Sequence, residues 1–218
     1  MLSGAEDALS VVHAQILACT ACALHRRRTQ AVPGTGPASA RIMAVGEGPG
    51  ETEDRLGQPF VGAAGNVLTR LLGSIGLRRE DIYITNVVKC RPPGNRDPEP
   101  EEVEACSHYL DAQIEIIQPA VILVLGRHAL GRLLPGAGGI SQIHGRRLVR
   151  GDRLFVPLYH PAAALYNGGL MRTLEQDMLR VRGYLDEADR ERALRAAPAA
   201  PTGAAPPSTP AHDQLSLF

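Results

Sequence analysis

The chain has 218 residues, with 23 Lys and Arg against 23 Asp and Glu and 44% hydrophobic residues. It is long enough for one sizeable core and has no excess of either charge. No run approaches the roughly 20 apolar residues of a membrane span, and the opening MLSGAEDALS lacks the basic and apolar regions of an export signal. Membrane and secretory classes are excluded on that basis, and a cytoplasmic protein is expected. Net neutrality also counts against a nucleic-acid partner, because such domains usually carry a basic excess. Only eight residues are aromatic and none is Trp, so each aromatic position carries unusual weight.

Residues 5–18 place apolar side chains at helical spacing and deliver Cys19 and Cys22 just past the helix end. Residues 40–46 read as a buried strand that runs into Gly46-Glu47-Gly48-Pro49-Gly50, too rich in Gly and Pro for regular structure. A helix over 64–76 precedes a strand over 81–89. Residues 98–118 open with acidic residues suited to the positive end of a helix dipole and continue as an amphipathic helix carrying Cys106. There follow an apolar strand at 120–126, a short helix to about residue 134, a strand at 153–159 and a closing helix at 170–185. Strands that alternate with helices and read as continuous apolar runs predict a parallel sheet covered on both faces. Such sheets bind ligands beyond the carboxyl ends of their strands, where Gly46–Gly50, Asn86–Arg96 and His160-Pro161 all fall.

The cysteines are Cys19, Cys22, Cys90 and Cys106. Without an export signal, a disulfide framework is disfavoured and a metal or redox site is expected. A thioredoxin-type pair should follow a strand, whereas Cys19 and Cys22 follow a helix. A four-cysteine zinc site usually shows two close pairs, and here the second pair is wide; an iron–sulfur cluster tolerates irregular spacing. Spacing alone leaves zinc and cluster open.

The GEGPG loop lacks the endings of phosphate-binding motifs, and Glu47 is its only ionisable member. Phe60, between Gly57 and Gly62, is a candidate stacking platform for a planar ligand. Asn86 ends a strand where its carboxamide can offer both a donor and an acceptor to an imide-like face. His160, followed by Pro161 at another strand end, converges with them.

The segments GEGPGETEDRLGQPFVGAAG, ITNVVKCRPPGNRDP and LYHPAAAL, with four cysteines in this order, resemble the family 4 uracil-DNA glycosylases, the type that carries a [4Fe-4S] cluster. The resemblance covers roughly residues 10–185. It implies a three-layer α/β/α sandwich around a four-stranded parallel sheet, and hydrolysis of the N-glycosidic bond of deoxyuridine in single- or double-stranded DNA, with water as nucleophile. Residue by residue, it implies that Phe60 stacks on the flipped uracil, Asn86 bonds its N3–H and O4 edge, His160 donates to O2, and Glu47 positions or activates water. Gly46 and Gly48 line the substrate in the same loop, and Cys19, Cys22, Cys90 and Cys106 become cluster ligands. Leu165 becomes the wedge filling the vacated stack, and Arg91 and Asn95, with Arg96, lie where a DNA backbone would pass. Lys89 reads as a phosphate contact or a charge behind the site. His108, His128 and His144 receive no role. Two rivals remain: a non-catalytic iron–sulfur DNA-binding module, and a glycosylase acting mainly on another deaminated base.

The expected organisation is a glycosylase domain at 1–187, a disordered Ala/Pro-rich linker at 188–211 and a terminal peptide at 212–218, in a monomeric, nucleoid-associated protein. The ending QLSLF resembles the bacterial sliding-clamp-binding peptide, with Gln214, Leu215, Leu217 and Phe218 as its contacts. Charge divides unevenly: residues 61–98 hold 6 basic and 3 acidic residues, 119–160 hold 6 and 1, and 99–118 hold 6 acidic and none basic. A basic face around the converging loops and an acidic helix away from it are therefore expected.

Overall fold

The computed structural model describes the backbone of residues 2–196 and the side chains of residues 4–190. Eight helices and five strands are described: α1 Leu2–Ala18, β1 Ile42–Gly46, α2 Glu51–Leu56, α3 Ala63–Ser74, β2 Tyr83–Asn86, α4 Pro100–Ile117, β3 Val121–Leu125, α5 Gly126–Leu133, α6 Ile140–Ile143, β4 Leu148–Arg150, β5 Arg153–Leu158, α7 Pro161–Tyr166 and α8 Gly168–Ala196. The sheet order is β2-β1-β3-β5-β4. Neighbours are parallel except the edge pair β4 and β5, which is antiparallel.

The expected architecture holds, with one correction: the sheet has five strands, four of them parallel. The fifth comes from a hairpin whose turn is Gly151-Asp152, with Gly151 at φ +61°. Gly-Asp between two short runs of strand-forming residues is a hairpin signal in its own right. Its strand escaped notice because it is three residues long and largely exposed.

Every residue of β1 and β3 is buried, which is why both read as unbroken apolar runs. Their side chains alternate between two cores. Met43, Val45, Ile122 and Val124 meet Leu9, Ile16, Leu110 and Leu130 on one face, from α1, α4 and α5. Ala44, Leu123 and Val156 meet Leu68, Leu72, Met178 and Val181 on the other, from α3 and α8. Three layers follow directly.

Helix α8 continues to Ala196, past the domain end expected at residue 187. The stretch ADRERALRA is rich in strong helix formers, and it carries the helix into the segment assigned to the linker. The terminal peptide and the rest of the linker lie outside the described residues. Among the described residues, no helix is long and apolar enough to cross a membrane.

Candidate active site

The carboxyl ends of β1, β2, β3 and β5 open on one edge of the sheet, and a pocket of about 360 Å³ lies there. Its wall includes Glu47, Gly48, Glu53, Phe60, Asn86 and His160, with Asn95, Arg96 and Asp97 at one side. The topology thus gathers residues that are more than 110 positions apart in the chain.

Asn86 is the last residue of β2 and 1% exposed. Its Oδ1 is buried and has no hydrogen-bond partner among the described residues. Such an oxygen costs roughly 1–3 kcal/mol unless something supplies a donor, so its burial in a pocket wall marks it as a waiting acceptor. Opposite it on β1 lies Gly46, in register with Asn86. A Cβ at Gly46 would stand 2.5 Å from Asn86 Oδ1 and 2.5 Å from Phe60 Cζ. Only hydrogen at this position leaves room for both the carboxamide and the ring.

Phe60 is not the loosely presented ring that its loop position implies. It is buried, with φ +52°, a conformation that a bulky residue holds only when its surroundings impose it. Arg79 supplies one restraint, donating to the Phe60 carbonyl at 2.7 Å and also bonding the Pro59 carbonyl. Glu53 supplies the other, its Oε1 accepting from the Val61 and Gly62 amides at 3.0 and 2.7 Å. Neither Arg79 nor Glu53 is evident as a site residue from the sequence, since both act through backbone atoms of a distant or neighbouring loop.

His160 caps α7, and its Nδ1 accepts from the Ala162 amide at 3.2 Å. Burial lowers its pKa to about 4, and a proton on Nδ1 would also break that cap. The ring is therefore neutral at physiological pH, with its remaining proton on Nε2. Its centroid lies 5.6 Å from that of Phe60. At Gly126, with φ +88°, a Cβ would come within 3.0 Å of His160 Cβ, so glycine at the end of β3 makes room for the imidazole. Glu47 is half-buried, and burial raises its pKa above the ordinary carboxylate value, opposed by His128.

Of the two readings of Lys89, the charge behind the site agrees with the structure and the phosphate contact is corrected. Lys89 is 1% exposed and cannot reach a phosphate. Its ammonium donates at 2.7 Å each to Thr85 Oγ1, the Asn86 carbonyl and Gln113 Oε1, although burial pulls its pKa down to about 7. Gln113 passes the network to Tyr83 and the Pro33 carbonyl, and Tyr83 to His13. The buried cation is thus tied to the backbone of Asn86. Its partners are not legible in the sequence, because Gln113 lies 24 positions away.

The four cysteines are free and line a shared hollow with Ile16, Arg28, Lys89 and Tyr109. Three of the sulfurs accept N–H bonds: Cys90 from Arg28 at 3.0 Å, Cys106 from the Lys89 amide at 3.3 Å, and Cys19 from the Ala21 amide at 3.5 Å. No three of them lie within 4.8 Å of one another. Four thiols around one hollow fit a metal centre held by four cysteines.

At the rim, Arg91 bonds Asn95 at 2.7 Å and Glu51 at 3.3 Å. Arg96 pairs with Glu102 at 2.7 Å, and Arg127 with Asp97. The expectation of an acidic helix away from the site is therefore corrected: the acidic start of α4 packs against the pocket rim through Arg96, and each of these rim arginines has a carboxylate. Leu165, at the far end of α7, is 44% exposed, and Tyr166 beside it is exposed too. His144 lies elsewhere, bonding Asp177 at 2.7 Å.

A sequence model described as the uracil DNA glycosylase superfamily matches residues 33–181, and the chain belongs to that superfamily. Within it, the chain is 48% identical over 185 residues to a type-4 uracil-DNA glycosylase of Sulfurisphaera tokodaii, covering 81% of this chain and 84% of that protein. It is 47% identical over 188 residues to one of Saccharolobus solfataricus, with 82% and 87% covered. A type-4 uracil-DNA glycosylase of Thermotoga maritima is 46% identical over 184 residues, with 83% and 96% covered.

Gly46→Ala tests the packing of the pocket floor. Because the new methyl has to displace Asn86 or Phe60, stability measured by urea unfolding is expected to fall by roughly 1–3 kcal/mol, and an unchanged midpoint would contradict the geometry.

Proposed function

We propose that the chain is a type-4 uracil-DNA glycosylase that releases uracil from DNA and leaves an abasic site. The observation that carries the site assignment is the unpartnered, buried Asn86 oxygen sharing a pocket with a neutral histidine. A carboxamide can accept from N3–H and donate to O4 of uracil, whereas cytosine reverses both polarities and would leave two buried groups unsatisfied. Phe60, fixed by Arg79 and Glu53, gives the flipped ring a face to stack on. Flipping costs a few kcal/mol, least where the base is already mispaired or unpaired.

In the reaction, water adds to the sugar C1′, the C1′–N1 bond breaks, and its electron pair goes to the uracil ring. Charge grows on O2, and the His160 Nε2–H donates to it. A neutral donor is suited to this step because its hydrogen bond strengthens as the charge develops, favouring the transition state over the bound substrate. Glu47 takes the proton from water. Leu165 fills the space left in the stack. Leu165 lies five residues beyond His160, the cap of α7, so about 7.5 Å of helix rise separates the wedge from the imidazole. Arg91 and Asn95 bind the DNA backbone, a phosphate taking the place of Glu51 on Arg91.

Cys19, Cys22, Cys90 and Cys106 hold a [4Fe-4S] cluster. The cluster supplies no chemistry to base release; it ties α1, the loop after β2 and α4 together. Residues 214–218 bind the sliding clamp through Gln214, Leu215, Leu217 and Phe218, which raises the local enzyme concentration at replicating DNA without new substrate contacts.

Cluster-loaded protein is expected to release uracil from a single-stranded dU oligonucleotide and leave the strand intact. His160→Ala should retain binding but lose roughly 10²–10³-fold in single-turnover rate. Binding by both without turnover by either would favour the non-catalytic module. Iron and acid-labile sulfide near four of each per chain are expected, and stoichiometric zinc would overturn the cluster. Deleting residues 214–218 should abolish clamp binding while activity on short oligonucleotides persists; clamp binding that survives the deletion would exclude this peptide.

A further inference from the structure

Helix α7 runs from the His160 cap to Tyr166, and its second residue, Ala162, is part of the pocket wall. Tyr166 follows Ala162 by four positions, so it stands on the same helix face one turn, about 6 Å, beyond the pocket wall. Its side chain is 91% exposed, next to Leu165 at 44%. It is the one exposed Phe or Tyr among the described residues, the others being buried or half-buried. In so aromatic-poor a chain, a ring left in water beside the pocket has no packing role within the fold.

The backbone that presents this ring is fixed at both ends. Helix α7 packs on α3 and α8, His160 caps its start, and just past its end the Asn167 side chain accepts from the Gly169 amide at 2.9 Å. Residues 165–169 are all exposed, and a Cβ at Gly168 would meet nothing within 4 Å, so there is room around the tip for a partner. From Pro161 to Leu174 the chain has no carboxylate, and Arg172 is its one charged residue. Nothing on this segment repels a phosphate backbone, in contrast to the carboxylate-paired arginines across the pocket.

We propose that Tyr166 is a second stacking platform for DNA, its ring lying on a base that flanks the flipped nucleotide. This rests on the reading of the chain as a glycosylase acting on DNA. Extruding a base bares a face on each of its two neighbours, and one leucine covers little of that area. A leucine and a ring side by side cover both. A phenol ring on a fixed backbone does so at small entropic cost, and for any neighbouring base, because every base has a π-face.

The chain contains no Trp, so Tyr166→Trp installs a single indole fluorophore at this position. In the full-length, cluster-loaded protein its emission should be quenched on saturation with a single-stranded oligonucleotide that carries a tetrahydrofuran abasic analogue at the target position and adenine on either side. With tetrahydrofuran at all three positions, saturation followed by anisotropy of the labelled oligonucleotide should leave the emission unquenched. Equal quenching by both oligonucleotides, or by neither, overturns the proposal.

Affinity gives a second reading. Tyr166→Ala should weaken binding of the adenine-flanked oligonucleotide roughly tenfold. Tyr166→Phe, which keeps the ring, should bind as the wild type does, and Tyr166→Leu, which keeps only apolar bulk, should not. Without the flanking bases all four proteins should bind alike; a loss that persists there is structural and refutes stacking. So exposed a side chain makes few contacts within the protein, and these variants are expected to fold. Uracil release by the wild type from a dU oligonucleotide keeps the two levels apart. Release without base-dependent quenching refutes only the role of Tyr166, whereas no release removes the glycosylase reading and this proposal with it.

Discussion

A buried carboxamide oxygen with no partner among the described residues is the constraint around which the rest of the site is arranged. The cost of holding Asn86 in this way is tolerable only if the strand that carries it cannot relax to find a partner. Strand β2 is locked by its parallel register with β1 and by the Lys89 ammonium, which donates to the Asn86 carbonyl as well as to Thr85 and Gln113. A cation this deeply buried is itself viable only with all three acceptors in place. The amide of Lys89 then bonds Cys106, and the next residue is Cys90. The Asn86 carbonyl and the amide that bonds the Cys106 sulfur are thereby joined within residues 85–90, so the proposed cluster would have a route to influence the proposed base recognition.

Charge is handled by local pairing rather than by an overall field. The arginines at the pocket mouth each meet a carboxylate, the His160 imidazole is kept neutral, and the half-buried Glu47 shares its rim with one imidazole and one guanidinium. Net neutrality of the chain is consistent with this arrangement. Phosphates approaching the rim would exchange partners with Glu51 and its neighbours instead of meeting a uniformly basic face, which makes binding a competition between carboxylate and phosphate for the same guanidinium groups.

The sheet and its layers were legible because β1 and β3 are buried on both faces and leave unbroken apolar runs, and because the unusual loops fall at strand ends. Phe60, Asn86 and His160 were legible as residue types out of place in those loops, together with a family resemblance that covers them. What stayed hidden depends on contacts between distant segments. The burial of Lys89 is hidden until Gln113 and Thr85 close around it. Arg79 acts on a loop nineteen positions earlier through backbone oxygens, and His128 acquires neighbours only when α5 is laid against the loops after β1 and before α4. The exposed three-residue β4 was missed because burial, the signal that marked the other strands, is absent from it.

The account stands or falls on what meets the Asn86 oxygen. A crystal structure of the cluster-loaded protein with uracil bound should place N3 within hydrogen-bond distance of Asn86 Oδ1 and O2 within reach of His160 Nε2, with the ring lying on Phe60. Uracil bound elsewhere, or a structure in which Asn86 Oδ1 is satisfied by the protein while uracil occupies the pocket, would contradict it.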